Sequence, residues 1–206
     1  MFRRSFLILI ITIFAASLTY AAKPNNALAL KIENLKAAFK GETTASAKYA
    51  AYAKKAKEEG YPRIALLFEA ASFSEATHAN NHKAALSDLG TQPDKVTPEF
   101  TVKSTKENLH DAINGETYEV TTMYPDFIKA ANENIEKISL NYAYLTEKKH
   151  KEMYKNALEQ LQSGKENTLS GTYAVCTTCG NTYDGPAPDR CGISMTPKDR
   201  FKTFKL

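Results

Sequence analysis

With 206 residues, 43% hydrophobic and 24% charged, the chain can bury one good core and a small satellite domain, which excludes two full-sized domains. Its formal net charge of +4 falls to +2, 25 basic against 23 acidic residues, once Arg3 and Arg4 are set aside. The remaining Lys and Arg are scattered along the chain rather than gathered into a stripe, so neither nucleic acid nor another polyanion is expected as a partner.

At the N-terminus Arg3 and Arg4 precede an uncharged apolar run, Phe6 to Ala16, and then Thr19-Tyr20-Ala21. This is the layout of a secretory signal peptide over residues 1–21, cut after Ala21, so a periplasmic or secreted protein is expected. The alternative is a retained membrane anchor, for which 11 apolar residues are short against the ~20 that span a bilayer.

Four amphipathic helices follow. The first carries the stripe Leu28, Ile32, Leu35, Phe39, Glu42, Ala45, Tyr49, Ala53, and the second Ile64, Phe68, Ala71, Glu75, His78, His82, Leu86. Gly60 and Pro62 punctuate this first hairpin, and residues 90–103, rich in Thr, Pro and Asp, form a long connection. Ser104 and Glu107 make a capping box that opens the third helix, with stripe Leu109, Ala112, Glu116, Glu119, Met123, Phe127, Ala130, inside which Pro125 should impose a kink. The fourth carries Leu140, Ala143, Glu147, His150, Tyr154, Ala157, Leu161 and ends near Gly164. Steps of three and four hold each set on one face at 3.6 residues per turn, which places the acids on the core side.

An ionised carboxylate in an apolar interior costs several kcal/mol, roughly, so it either takes up a proton or finds a cation. No matching core Lys or Arg lies on these faces, and five glutamates cannot all be protonated cheaply. Imidazole nitrogen beside carboxylate oxygen suits a transition metal, and about five negative charges call for two metal ions rather than one. Gly41-Glu42 with Glu75-x-x-His78, then Gly115-Glu116 with Glu147-x-x-His150, read as duplicated hairpins whose acids converge. Tyr49 and Tyr124 can donate hydrogen bonds to those acids or simply pack as aromatics. His82 reads as a core-edge histidine, with support of the metal ligands as the alternative.

After a polar linker at 165–171, helical periodicity stops, and residues 172–206 carry Cys176-Thr-Thr-Cys179-Gly180 and Cys191-Gly-Ile-Ser194. Tyr173, Tyr183, Phe201 and Phe204 are expected to form a small aromatic core there.

The helical pattern resembles the ferritin-like di-iron carboxylate proteins, in which two helices give a Glu each and two give Glu-x-x-His. The segments GETTASAKY, FSEATHANNH, GETYEVTTMYPDF and TEKKHKEMY resemble the rubrerythrin family closely. The resemblance implies a mainly α fold, a ferritin-like four-helix bundle over 26–164 followed by a small rubredoxin-like metal-knuckle domain. It further implies that Glu42, Glu75, His78, Glu116, Glu119, Glu147 and His150 hold two irons, Glu75 and Glu147 bridging, Glu116 and His150 on one ion, Glu42 on the other. Glu119 and His78 would exchange on that second ion between oxidation states, which makes them the catalytic pair.

Ser194 stands where the family has its fourth knuckle cysteine. A hydroxyl is harder to deprotonate than a thiol, so Cys176, Cys179 and Cys191 are expected to hold one iron or zinc less firmly, with a disulfide between two of them as the competing outcome in an oxidising compartment. The implied activity is reduction of hydrogen peroxide to water, as a homodimer fed by an extracytoplasmic electron donor that the sequence does not identify. The alternative is a ferroxidase or iron-binding and storage protein.

Overall fold

The computed structural model describes residues 26–131 and 135–206; the expected signal segment lies outside the described residues. Helix α1 (Asn26–Glu58) and helix α2 (Pro62–Asp88) form the first hairpin. At the reversal Gly60 adopts φ +84° and Tyr61 N–H bonds back to Ala56 O at 2.8 Å. Pro62 then starts α2, where a missing N–H costs nothing. Leu28, the head of the first stripe, is exposed: α1 runs two turns beyond Leu35, its first buried residue.

The connection carries no regular structure until Ser104, whose side chain accepts from Glu107 N–H while Glu107 accepts from Ser104 N–H, the expected capping box. Helix α3 (Thr105–Tyr118) passes into a π-helical segment, Glu119–Met123, and then α4 (Tyr124–Ala130). A widened turn thus immediately precedes Pro125, where a kink is expected from the sequence. Tyr124 N–H bonds to Glu119 O, five residues back, and the extra residue removes both the need for an N–H at 125 and the clash of its ring with the preceding turn. Helix α5 (Ile135–Gln162) completes the bundle, and Gly164 at φ +68° ends the run. Among the described residues no helix is long and apolar enough to cross a membrane.

Among the described residues the core of the bundle divides into two apolar clusters. One contains Tyr49, Tyr52, Phe68, Leu109, Ala112 and Tyr154, and the other Leu35, Ala38, Leu86, Met123, Tyr124, Leu140 and Ala143. Along every helix the stripe passes from one cluster to the other through an acid: Ala38, Glu42, Tyr49 on α1; Ala71, Glu75, Ala85 on α2; Ala112, Glu116, Met123 through α3; Ala143, Glu147, Tyr154 on α5. The carboxylates thus form a layer across the middle of the bundle.

The C-terminal segment folds as a three-stranded antiparallel sheet in the order β2-β1-β3, with β1 Thr172–Cys176, β2 Thr182–Asp184 and β3 Phe201–Lys205. Strand β1 alternates faces. Tyr173 and Val175 join the bundle core beside Leu169, while Cys176 lies with Cys179 and Cys191 in a separate cluster. The expected four-ring core of the small domain is therefore divided: Tyr183 and Phe201 pack together at the cysteines, 5.7 Å between centroids, whereas Phe204 stacks on Phe73 of α2 at 5.9 Å. A sheet this small lacks the area to bury four rings alone, so two of them pack against the bundle, Tyr173 buried and Phe204 half-buried.

Candidate metal centres

Glu42, Glu75, Glu116, Glu147, His78 and His150 are all buried at mid-bundle. Their donor atoms form two groups, each within 4.8 Å: Glu42, Glu75, His78, Glu147, and Glu75, Glu116, Glu147, His150. Glu75 and Glu147 belong to both. His78 Nδ1 lies 2.9 Å from Glu75 Oε2 and 2.8 Å from Glu147 Oε1, and His150 Nδ1 lies 2.8 Å from Glu147 Oε2 and 3.0 Å from Glu75 Oε1.

The other face of each imidazole decides what this convergence means. His78 Nε2 is 3.1 Å from the carbonyl of Cys179, which can only accept, so this nitrogen carries the hydrogen. His150 Nε2 is 2.8 Å from Thr182 Oγ1, whose own hydrogen points to Gly180 O, so it too donates. When neutral, each imidazole presents a bare Nδ1 lone pair to carboxylate oxygens. Lone pairs that converge in an apolar interior require a proton or a metal between them, and fixing the tautomer through the distal nitrogen is how metal-binding histidines are oriented. Glu42 Oε2 and Glu116 Oε2, buried without a hydrogen-bond donor, complete the set. The donors fit a pair of transition-metal ions.

Two phenols hold the outer acids: Tyr49 donates to Glu116 Oε1 at 2.6 Å, and Tyr124 donates to Glu42 Oε1. Burial raises the carboxyl groups of Glu42, Glu116 and Glu119 well above their ordinary 4.5, and the charges of Glu147 and Glu75 add to it for all three. Burial also works against ionised Glu147, but the His78 and His150 imidazoles outweigh it and hold that group at about 2. For His150, burial is likewise overcome, here by Glu75 and Glu147, and its imidazolium persists to about 9. Burial pushes His82 down to about 3. Glu119 is near enough for its charge to act on Glu42 and Glu116, yet it stands outside both donor groups at the start of the widened turn.

At the knuckles Cys176, Cys179 and Cys191 are buried, free and within 4.8 Å of one another. Cys179 and Cys191 sulfurs lie 3.4 Å apart as thiols, so the expected alternative of a disulfide is not the arrangement found. Ser194 Oγ lies 3.3 Å from Cys176 Sγ and 2.8 Å from Thr196 Oγ1, at the fourth corner. The hydrogen bond from Cys179, supplemented by the Ser194 and Thr196 hydroxyls, lowers Cys176 to about 4, and Cys179 is raised as the donor of that pair. One thiolate is thus ready at neutral pH before any metal arrives.

The family profile described as Rubrerythrin matches residues 33–158. The chain belongs to the rubrerythrin family. It is 34% identical over 194 residues to nigerythrin of Nitratidesulfovibrio vulgaris, covering 92% of this chain and 94% of that protein. It is 31% identical to rubrerythrin-2 of Clostridium acetobutylicum, over 85% of this chain and 97% of the relative. Nigerythrin in a mixed-valence state superposes with a TM-score of 0.75 at 34% identity, covering 84% of this chain and 86% of that one. A bacterioferritin of Rhodobacter capsulatus shares the fold at TM-score 0.60 and 21% identity, covering 66% of this chain and 87% of that one. As a rubrerythrin-family protein the chain has a di-iron centre in its carboxylate and imidazole cluster and a rubredoxin-like metal site at its three cysteines.

Of the seven bundle residues singled out in the sequence, the structure brings six into the two donor groups and leaves Glu119 beside them. His82, expected at the core edge, is fully buried, with Nδ1 2.7 Å from Ser139 Oγ and Nε2 3.1 Å from Tyr124 Oη. Missed altogether was the contact between the two halves. Besides the bonds to His78 and His150, Ser74 donates to Gly180 O at 2.6 Å, Asn81 to Thr178 O at 2.9 Å and Lys149 to Asn181 Oδ1 at 2.7 Å. A buried acid, Glu136, 3.6 Å from Lys31, was also missed. It lies one turn before Leu140 on the same stripe, so extending that stripe by four residues would have found it.

These charge states give a pH prediction for the chain stripped of metal. His150 is raised, so its contribution is complete below 6.5 and is lost as pH rises through about 9. Glu42, Glu116 and Glu119, also raised, act in the same direction above 4.5, whereas the gain from Glu147 is already complete there. His150 alone should cost the stripped protein about 3 kcal/mol of stability between pH 6.5 and 9, His78, which is also raised, should add to the loss, and loading ferrous ions should reverse the trend, because metal replaces protons. Thermal melts at the two pH values, stripped and loaded, check this; a stripped protein that is more stable at pH 9 contradicts it.

Proposed function

We propose that the chain is an exported di-iron peroxidase that reduces hydrogen peroxide to two waters, with Glu42, Glu75, His78, Glu116, Glu147 and His150 holding the iron pair. The observation that carries the reading is the sharing of Glu75 and Glu147 between two donor groups, each completed by its own Glu and His. The iron pair supplies, when bound, the two electrons that break the peroxide O–O bond without releasing a radical. Two protons must be delivered as well, and the phenols of Tyr49 and Tyr124 border the site where they are needed. Tyr49 and Tyr124 also fix the orientation of Glu116 and Glu42. Glu119, close by and with its carboxyl raised well above the ordinary carboxylate range by burial, is by the family resemblance the group that changes places with His78.

Electrons would arrive through the rubredoxin-like site, whose Cys179 carbonyl meets His78 within the same chain. A small extracytoplasmic redox protein is the proposed donor, since reduced nicotinamide cofactors are not available outside the cytoplasm. A homodimer is expected from the family resemblance.

The test is to reduce the purified protein anaerobically, mix it with peroxide or with dioxygen, and compare the rates at which ferric absorption appears. Peroxide should be faster by at least tenfold, on the order of one good catalytic contact. Much faster oxidation by dioxygen would reject the peroxidase and leave the ferroxidase or iron-storage reading.

A further inference from the structure

Four buried side chains from four helical segments form a line that ends on one acid of the metal layer: Ser139 of α5, His82 of α2, Tyr124 of α4 and Glu42 of α1. Ser139 Oγ is 2.7 Å from His82 Nδ1, His82 Nε2 is 3.1 Å from Tyr124 Oη, and Tyr124 bonds to Glu42 Oε1. Each of the four is at most 3% exposed. The line also has a direction. As a metal ligand Glu42 is ionised and can only accept, so the single phenol hydrogen of Tyr124 is committed to it, and Tyr124 must in turn accept from His82 Nε2–H. That leaves Nδ1 of the neutral imidazole to accept from the Ser139 hydroxyl.

We infer that His82 is a positioning residue of the di-iron centre: held in one tautomer by Ser139, it turns the Tyr124 phenol onto Glu42 and so fixes that carboxylate as a ligand of one iron. The phenol oxygen keeps a lone pair open to a donor; His82 is that donor, and by occupying it the imidazole settles the O–H toward Glu42 and polarises it. The symmetry of the bundle makes the assignment sharper. Glu116, the counterpart of Glu42, is also held by a phenol, Tyr49, but no imidazole backs that phenol among the bonds of the described residues. The two irons therefore receive unequal support, and the ion held by Glu42 and His78 is the one that depends on His82.

This inference rests on the di-iron reading above, and ferrous ions alone are the probe. The full chain is stripped of metal and titrated anaerobically with Fe2+ against a chelator, with Mössbauer spectra resolving the two ferrous ions. His82→Leu should weaken one ion by ten- to a hundredfold, the usual loss when a partner of a metal ligand is removed, and leave the other within about twofold. His82→Gln, which keeps a donor and an acceptor, should recover most of the loss. In a Tyr124→Phe background, His82→Leu should add nothing, since its effect passes through the phenol. Ser139→Ala, a smaller change, should weaken the same ion and serves in its place if His82→Leu does not fold. Unchanged binding of both ions in His82→Leu, or in Ser139→Ala where the former does not fold, overturns the proposal. So do equal losses at both ions, or a loss that persists undiminished in the Tyr124→Phe background. A parent chain that binds no ferrous pair overturns the di-iron reading itself, an outcome distinct from these.

Discussion

Glu147→Gln should strip both irons at once, while Glu116→Gln should cost one. The difference follows from membership: Glu147 belongs to both donor groups, Glu116 to a single one. Glu147 also faces both imidazoles, at 2.8 Å each. Since losing a mere partner of a ligand weakens metal binding by roughly 10–100-fold, losing a shared ligand should exceed that for each ion. In the stripped protein the two substitutions should also differ in sign. Ionised Glu147 is held low by His78 and His150, and breaking a buried pair of this kind costs about 3–5 kcal/mol. Glu116 has its carboxyl raised by burial and by neighbouring acids, so a neutral amide there should stabilise the stripped fold. Iron content per chain and denaturant unfolding of the stripped variants check both halves. Retention of one full-occupancy iron in Glu147→Gln would remove the shared-ligand assignment.

Gly180→Ala should uncouple the knuckles from the bundle. Gly180 sits at φ +78°, and a Cβ placed there would lie 2.3 Å from His78 Nε2 and 3.0 Å from Ser74 Oγ. Neither neighbour can retreat, because both are buried in α2. The sheet must therefore shift outward, breaking the Ser74 bond to Gly180 O and the His78 bond to Cys179 O. Reduction of the di-iron centre by an external donor acting through the cysteine site should slow by ten- to a hundredfold, the scale of a displacement of about 1 Å in a reacting geometry. Gly185→Ala is the control: its φ of +105° imposes comparable backbone strain, but an added Cβ meets nothing within 4 Å. Stopped-flow reduction of the parent and the two variants decides the matter, and equal slowing in both would assign the effect to strain.

The bundle and its acids were legible because side-chain chemistry recurred at helical spacing. Glu75-x-x-His78 and Glu147-x-x-His150 each sat between apolar residues that the structure buries in different clusters. The widened turn at Glu119–Met123 was not legible, because Pro125 in a periodic stripe gives the same pattern whether the helix kinks or gains a residue. His82 was placed at the core edge because one imidazole one turn past His78 carries no sign of what faces it. Its partners, Ser139 and Tyr124, come from sequence positions 57 and 42 residues away. The junction between the halves was the least legible part, since its central acceptors are the backbone carbonyls of Cys179 and Gly180, and a carbonyl leaves no trace in residue type.

Each imidazole of the centre spends one nitrogen on the acids and the other on the knuckles, through Cys179 O and Thr182 Oγ1. The two halves are consequently bound to a common history. A knuckle domain grafted from another source would arrive with its own loop geometry and leave two tautomers unset, so recombination at the linker should yield folded chimaeras with poorly loaded iron. Divergence in one half is answerable to the other, and the natural unit of inheritance here is the whole chain.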